Sequence, residues 1–281
     1  MKILLRSALA AFVFVAFIAA PIPSPAQVTA GVGISFAPPE IPIYSQPPCP
    51  TQNYIWIPGY WAWGPGGYYW VPGTWLAAPT VGFLWTPGYW GWGSNAYYWH
   101  RGYWGRTVGF YGGVNYGFGY FGTGYVGGRW YGNAFRYNVA VTNINRTVIH
   151  NTYVDKTVIR NTYNRTSYNG GHGGIHAQPT SSEVAAQRNQ RPPTTEQASH
   201  EQTASQDRNH LATVNHGQPP ITAVQHPYNA KNMPPHYTPV TNADRQAAQA
   251  HVVAPPHNAS QPNKPPPPNK PPRSAQHSLN L

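Results

Sequence analysis

Aromatic residues along this chain are concentrated in one short region, where they recur at a nearly constant interval. Ten of the eleven tryptophans lie between residues 56 and 104. Four six-residue units, each with tryptophan at both ends and glycine in the fourth position, start 14, 15 and 14 residues apart, at Trp56, Trp70, Trp85 and Trp99. An internal period this regular predicts a repeat module over residues 54–104.

Each pair of units predicts one β-hairpin. Residues 60–63 and 68–71 are rich in aromatic side chains, and the four residues between them are Gly-Pro-Gly-Gly. Residues 93–96, Gly-Ser-Asn-Ala, take the same place 29 residues later. Aromatic runs joined by short Gly/Asn connections are typical of hairpins. We therefore expect two consecutive hairpins, linked by residues 77–82.

The glycine in each unit predicts a local change of backbone conformation. The two tryptophans of a unit are five residues apart, which would place them on opposite faces of an uninterrupted strand. A β-bulge at the glycine would add one residue and bring both indoles to the same face. Proline precedes glycine in three units and Arg101 in the fourth, so we hypothesise that glycine carries the required conformation. The glycines are Gly59, Gly73, Gly88 and Gly102.

The repeat tryptophans allow two interpretations. A thin sheet of about 50 residues has too little interior for ten indoles, so some should form an exposed contact surface. Alternatively, the indoles form only a core, since a buried tryptophan contributes roughly 4–6 kcal/mol before entropy is counted. The candidate contact surface comprises Trp56, Trp61, Trp63, Trp70, Trp75, Trp85, Trp90, Trp92, Trp99 and Trp104.

The segments before and after the repeats differ in composition. Residues 1–26 combine Lys2, Arg6 and an apolar run, the pattern of a secretory signal peptide too short to anchor the protein stably in a membrane. A Pro-rich lead-in over residues 27–53 precedes the repeat module. A Gly/Tyr/Phe-rich tract over residues 105–137 and an Asn/Thr/Val repeat segment over residues 138–168 follow it. We expect the Gly/Tyr/Phe-rich tract either to pair with the hairpins or to stay irregular, because frequent glycine weakens strands. The β-branched residues of the Asn/Thr/Val repeat segment favour strands.

Residues 169–281 are dominated by Gln, Asn, His, Pro and Ala. Such a segment cannot bury enough apolar surface to offset the entropy of ordering, so we expect a largely disordered tail. Only residues 182–188 favour a short helix. The predicted fold class is thus mostly β, a small aromatic-rich β-hairpin repeat module followed by a low-complexity and largely disordered C-terminal tail.

The charged residues argue against catalysis. The chain has 18 Lys and Arg and 7 Asp and Glu, a net charge of +11. Because the basic residues are scattered and the signal peptide predicts export, we expect no nucleic-acid partner. No acidic residue lies in the repeat module, whereas a glycosidase needs two carboxylates beside the scissile bond. We expect no enzyme activity, no catalytic residue and no cofactor.

Histidine and cysteine predict no built metal or redox site. Ten of the twelve histidines lie in the predicted tail, between His172 and His277, without the paired spacing of metal ligands. Weak binding of divalent metals by the tail stays as an alternative. Cys49 is the only cysteine, which excludes an intramolecular disulfide.

The units resemble those of the bacterial YXWGXW, or WXXGXW, repeat proteins. The resemblance rests on the four units and on their extensions, Tyr-Trp-Ala-Trp at residues 60–63 and Tyr-Trp-Gly-Trp at 89–92. Similar tracts follow at residues 151–159, 167–175 and 178–180. The resemblance implies a bacterial envelope protein of unknown function and transfers no catalytic residue.

Three functional hypotheses follow. The first is a non-catalytic, exported, envelope-associated structural or adhesive protein. The second is a carbohydrate-binding module that stacks tryptophan and tyrosine on peptidoglycan or exopolysaccharide, and the third is metal binding by the tail. We expect the protein in the periplasm, on the outer membrane surface or outside the cell, with no transmembrane span in the mature chain. The sequence specifies neither a ligand nor an oligomeric state.

Overall fold

The computed structural model describes residues 31–159 and 164–253. The predicted signal peptide, residues 1–26, lies outside these ranges, as do residues 254–281 of the predicted tail. Among the described residues, strands and isolated bridges account for 30% and helices for 16%, so the prediction of a mostly β fold is confirmed. Within the described ranges, no helix has the length and apolar character needed to cross a membrane.

The strands are short and mostly antiparallel. In chain order they are β1 (Gly33–Ile34), β2 (Tyr54–Ile57), β3 (Tyr60–Gly64), β4 (Gly67–Val71), β5 (Thr74–Ala77), β6 (Leu84–Thr86), β7 (Tyr89–Gly93), β8 (Ala96–His100), β9 (Tyr103–Gly105), β10 (Asn115–Gly117), β11 (Tyr120–Phe121), β12 (Gly128–Tyr131), β13 (Ala134–Asn138), β14 (Thr152–Tyr153), β15 (Tyr168–Asn169) and β16 (Val252–Val253). The described helices are α1 (Ser181–Ala186), α2 (Thr195–Gln206), α3 (Ala212–Asn215) and α4 (Asn242–Gln249), with 3-10 turns at Gln187–Asn189 and Arg208–His210.

Both predicted hairpins form, each as a long antiparallel ladder with one interruption. In the first hairpin β3 pairs with β4 near the turn, and β2 pairs with β5 beyond the interruption. The second hairpin pairs β7 with β8 and β6 with β9 in the same way. In its two-residue turn, Ser94 and Asn95 have φ angles of 47° and 61°, the left-handed values that a type I′ turn requires.

The two hairpins pack against each other through aromatic side chains. The indole N–H of Trp90 donates to the carbonyl of Trp61 at 2.8 Å. The ring of Tyr60 stacks on Trp99 with a centroid distance of 5.2 Å and an interplanar angle of 16°. These contacts join the two repeats into one core.

The Gly/Tyr/Phe-rich tract is ordered and packs on both hairpins. It contains the small hairpin of β10 and β11. The hydroxyl of Tyr120 lies 3.3 Å from the carbonyl of Trp56 and 3.0 Å from that of Trp85, which are equivalent positions in the two repeats. The hydroxyl of Tyr116 donates to the carbonyl of Gly88 at 2.6 Å. The tract therefore uses its tyrosines to bridge the repeats.

The described residues of the Asn/Thr/Val segment form the short strand β14, which pairs in parallel with β13, and the segment ends at Tyr168 in β15, which pairs in parallel with β7. The buried side chain of Asn138 holds the segment in place. Its amide donates to the carbonyls of Val126 and Asp155, and its oxygen accepts the backbone N–H of Asp155 at 2.9 Å. Residues 147–153 and 157–163 share the pattern Thr-Val-Ile-x-Asn-Thr-Tyr. The second copy forms no strand in its described residues 157–159, and its residues 160–163 lie outside the described ranges.

The C-terminal part folds further than predicted, because residues 169–253 are packed on the hairpins and not disordered. Helix α2 and the buried Leu211 contact β4. Three helices begin at capping boxes, in which Thr180, Thr194 and Thr241 each exchange hydrogen bonds with the residue three positions on. The apolar surface that orders this segment belongs to the hairpins, so the composition of the segment alone underestimates its order. The helix predicted at residues 182–188 is confirmed as α1 and the turn after it.

Candidate functional site

Eight of the repeat tryptophans form four directly opposed cross-strand pairs. The pairs and their centroid distances are Trp56–Trp75 at 5.2 Å, Trp61–Trp70 at 5.3 Å, Trp85–Trp104 at 5.3 Å and Trp90–Trp99 at 5.4 Å. The other two tryptophans oppose tyrosines, Trp63 with Tyr68 at 4.8 Å and Trp92 with Tyr97 at 4.7 Å. Opposed aromatic pairs are a main source of hairpin stability, so the repeat spacing serves to bring indoles together across the ladder.

Nine of the ten repeat tryptophans are buried, with exposed fractions from 0 to 9%, and only Trp92 is exposed, at 41%. Of the ten candidate contact residues, nine are therefore core residues and Trp92 alone is available at the surface, so the core interpretation describes most of the repeat. The lead-in, the Gly/Tyr/Phe-rich tract and residues 169–253 supply the cover that two bare hairpins would lack.

The predicted β-bulge at the unit glycines is also wrong. In the first hairpin Ile57 pairs with Thr74 and Tyr60 pairs with Val71, which leaves two residues on each strand between the paired segments. The register is thus continuous and no residue is added. None of the four glycines is among the described residues with positive φ.

The unit glycines are required because an indole from the opposite strand lies over each of them. A Cβ atom built on any of the four would come within 3.0 Å of an indole Cζ2 and of the backbone nitrogen of the facing glycine. The pairs of glycine and indole are Gly59 with Trp70, Gly73 with Trp56, Gly88 with Trp99, and Gly102 with Trp85. Glycine is therefore required because the opposite strand and its indole approach the backbone too closely for a side chain. The same holds in the fourth unit, where Arg101 takes the place of proline.

Two buried indoles tie the lead-in to the first hairpin. The indole N–H of Trp61 donates to the carbonyl of Glu40 at 2.9 Å, and that of Trp75 donates to the carbonyl of Pro47 at 2.8 Å. Each bond satisfies a buried donor and fixes a segment that has little regular structure of its own.

Two further indoles tie the C-terminal part to the hairpins. The indole N–H of Trp70 donates to the carbonyl of Thr222 at 3.0 Å. That of Trp104 donates to the side-chain oxygen of Gln197 at 2.7 Å, and Gln197 belongs to the capping box of α2. The repeat module thus positions both the lead-in that precedes it and the C-terminal part that follows it in the chain.

Trp92 is the exception because its environment differs from that of Trp63, its equivalent in the first hairpin. The ring of Trp63 is covered by Phe36 at a centroid distance of 6.0 Å. Trp92 packs against Tyr97, and Gly171, which has no side chain, lies beside its ring. An exposed indole next to a tyrosine can stack on a sugar ring or another apolar surface.

A half-buried polar cluster, not evident from the sequence, lies between the hairpins and α2. The hydroxyl of Tyr60 donates to the carboxylate of Glu201 at 2.8 Å. Burial raises the pKa of Glu201 and of Tyr60. Arg101 lines the same cavity, whose volume of about 30 Å³ is room for about one water molecule. The cluster has acid–base groups but no space for a substrate.

His200, the neighbour of Glu201 on α2, is fixed as a neutral ring. Its Nδ1 accepts the backbone N–H of Tyr228 at 2.8 Å, so its Nε2 carries the proton and donates to the carbonyl of Pro72 at 2.8 Å. Burial lowers the pKa of His200 to about 4. Both nitrogens are committed to backbone partners, which makes His200 a structural link. The capping box at Thr194 is the sequence signal for the helix that carries it.

Cysteine and metal chemistry find little support in the described part of the chain. Cys49 is fully buried, and burial raises the pKa of its thiol to about 11, so the reactive thiolate is suppressed at neutral pH. No cluster of three or more His, Cys, Asp or Glu side chains in that part is placed to hold a metal ion.

The WXXGXW repeat family matches the chain in two copies, at residues 53–75 and 81–104. Each copy corresponds to one hairpin of the structure, so the resemblance inferred from the four units is confirmed over the module. The match does not reach the later tracts at residues 151–180. No curated protein and no solved structure matches the chain.

Proposed function

Since the chain carries two WXXGXW repeats that fold as an interior framework, we propose that it is an exported, non-catalytic structural or adhesive protein of the bacterial cell envelope. One observation carries the proposal: the buried indoles join the lead-in, the hairpins and α2 into a single unit. The repeat serves as a scaffold, and contacts with the envelope are made by side chains on its outer surface.

The lack of a usable reaction centre in the described residues supports a binding role. The strongest acid–base candidates, Glu201 and Tyr60, enclose room for about one water. The imidazole of His200 is occupied at both nitrogens.

Carbohydrate binding is the second candidate function, and Trp92 is the observation that favours it. Its indole is the exposed remainder of the predicted ten-residue contact surface, and Tyr97 packs beside it. One indole face is enough to stack on a single sugar ring of peptidoglycan or exopolysaccharide. Metal binding by the tail gains no similar support, because the described residues contain no group of three or more His, Cys, Asp or Glu side chains placed to hold a metal ion.

Fractionation of cells that produce the tagged protein tests the proposal. We expect the protein with the envelope or in the medium, and we expect the purified protein to sediment with isolated envelope material. Recovery of the protein from the cytoplasm, or turnover by the purified protein, would refute the proposal.

A matched pair of variants separates the two candidate functions. Trp92→Ala removes the exposed indole, whereas Tyr131→Ala removes an aromatic side chain that is 72% exposed at a different place, on β12. Loss of sedimentation in Trp92→Ala alone favours carbohydrate stacking. Unchanged sedimentation in both variants favours the structural or adhesive role.

A further inference from the structure

A groove of about 840 Å³ opens at the base of the second hairpin, on the side away from its turn. One wall comes from residues 80–83 and 106–107, which flank that hairpin. The other wall comes from residues 182–191, which comprise most of α1, the 3-10 turn after it and the two residues that follow. The volume lies in the range of small-ligand sites in proteins.

Three arginines line this groove: Arg106, Arg188 and Arg191. All three are exposed, and no ion pair of theirs occurs among the described residues. No Asp or Glu lines the groove. Of the two acids nearest in sequence, Glu183 is buried and accepts hydrogen bonds from Thr123 and from the backbone N–H of Thr180. The other, Glu196 on α2, is exposed and does not line the groove or pair with its arginines. The groove therefore offers permanent positive charge that no ion pair in the described part of the chain neutralises.

Two of the arginines are held in place by contacts within the fold, Arg191 through its backbone and Arg106 through its guanidinium group. The backbone N–H and carbonyl of Arg191 pair with those of Trp104, both at 2.8 Å. The guanidinium of Arg106 lies over the ring of Phe83, 5.8 Å from its centroid. Because these two residues are already partly fixed, less conformational entropy is lost when an anion binds, which favours affinity.

We propose that this groove binds a carboxylate-bearing oligosaccharide. Guanidinium groups bind carboxylates through paired, charge-assisted hydrogen bonds. The remaining lining groups include the side chains of Asn189, Gln190 and Thr107, which suit the hydroxyl groups of sugar rings. The inference rests on the proposed envelope function and names its ligand class as an acidic polysaccharide.

Calorimetric titration of the purified protein with a tetrasaccharide of galacturonic acid tests this site. A neutral galactose tetrasaccharide and inorganic phosphate are the comparison ligands. We expect saturable binding of the acidic tetrasaccharide that weakens with added salt, and much weaker binding of the other two. In the double variant Arg188→Gln/Arg191→Gln, the affinity should fall at least about tenfold, as expected when hydrogen bonds to a charged group are lost.

Arg146→Gln is the control, since it removes one charge from an exposed arginine outside the groove. Its affinity should match that of the unchanged protein, and the variants should share its circular dichroism spectrum. Equal binding of the neutral tetrasaccharide, equally tight binding of phosphate alone, or equal loss in Arg146→Gln would each overturn the proposal. Sedimentation with envelope material that is unaffected by the double variant would refute this site but leave the proposed function standing.

Discussion

Replacing Gly88 by alanine should destabilise the protein strongly, although it adds only one methyl group. The added Cβ would lie 2.7 Å from the carbonyl oxygen of His100 and 2.8 Å from the nitrogen of Gly102, and closer still to the indole of Trp99. Two of these three neighbours are backbone atoms of the paired strand, which cannot rotate away. Overpacking of this kind costs about 1–3 kcal/mol, and the backbone contacts place Gly88→Ala near the upper end.

Gly93→Ala is the matched control in the same hairpin, at the last residue of β7. A Cβ at Gly93 has no atom within 4 Å, and Gly93 is not among the residues with positive φ. This variant should be neutral or slightly stabilising, because alanine reduces the entropy of the unfolded chain. The two variants thus differ in packing and share the same chemical change.

Urea unfolding followed by tryptophan fluorescence measures both effects. We expect the midpoint of Gly88→Ala to fall while the slope stays unchanged, and the midpoint of Gly93→Ala to stay or rise. In thermal unfolding, a loss of about 3 kcal/mol corresponds to a fall of roughly 6–12 °C for a domain of this size. Equal stability of the two variants would refute the close-approach explanation of the unit glycines.

Three further outcomes follow from the buried groups. Trp104→Phe should lose about 2 kcal/mol in urea unfolding, because the bond to Gln197 disappears, whereas Trp92→Phe should change stability by less than about 0.5 kcal/mol. Since the pKa of His200 is about 4 in the folded protein and near 6.5 in the unfolded chain, the unfolded chain alone takes up this proton as pH falls between these values. The free energy of unfolding should therefore fall by about 3 kcal/mol over that window, and His200→Gln should flatten the fall. Cys49 should resist iodoacetamide at pH 7.5 and react rapidly in urea, and rapid labelling of the native protein would contradict its burial.

The hairpins were predictable because the repeat spacing reflects their pairing. Tryptophans at equal distances on either side of a Gly-rich turn, such as Trp61 and Trp70, must face each other once the turn is placed. The same sequence did not reveal why the unit glycines recur, because spacing along one strand says nothing about the indole that crosses from the other.

The exposure of the tryptophans was mispredicted because the cover comes from segments with little apolar content of their own. Thr222 and Gln197 lie far from the repeat in sequence, and composition alone places both in a disordered tail. The capping box from Thr194 to Gln197 was a local sign of helix α2. The sequence does not show that α2 and the residues after it pack on the hairpins. The burial of the hairpin tryptophans and the order of the C-terminal part depend on each other, so neither could be predicted from its own segment.

The central claim is that the repeat tryptophans form the interior of the protein, and oxidative footprinting read by mass spectrometry tests it most directly. In the native protein we expect Trp92 to be oxidised fastest, while Trp56, Trp61, Trp70 and Trp75 stay protected until urea unfolds the chain. Rapid oxidation of these four residues in the native protein would show that the indoles form an outer surface and would contradict the account.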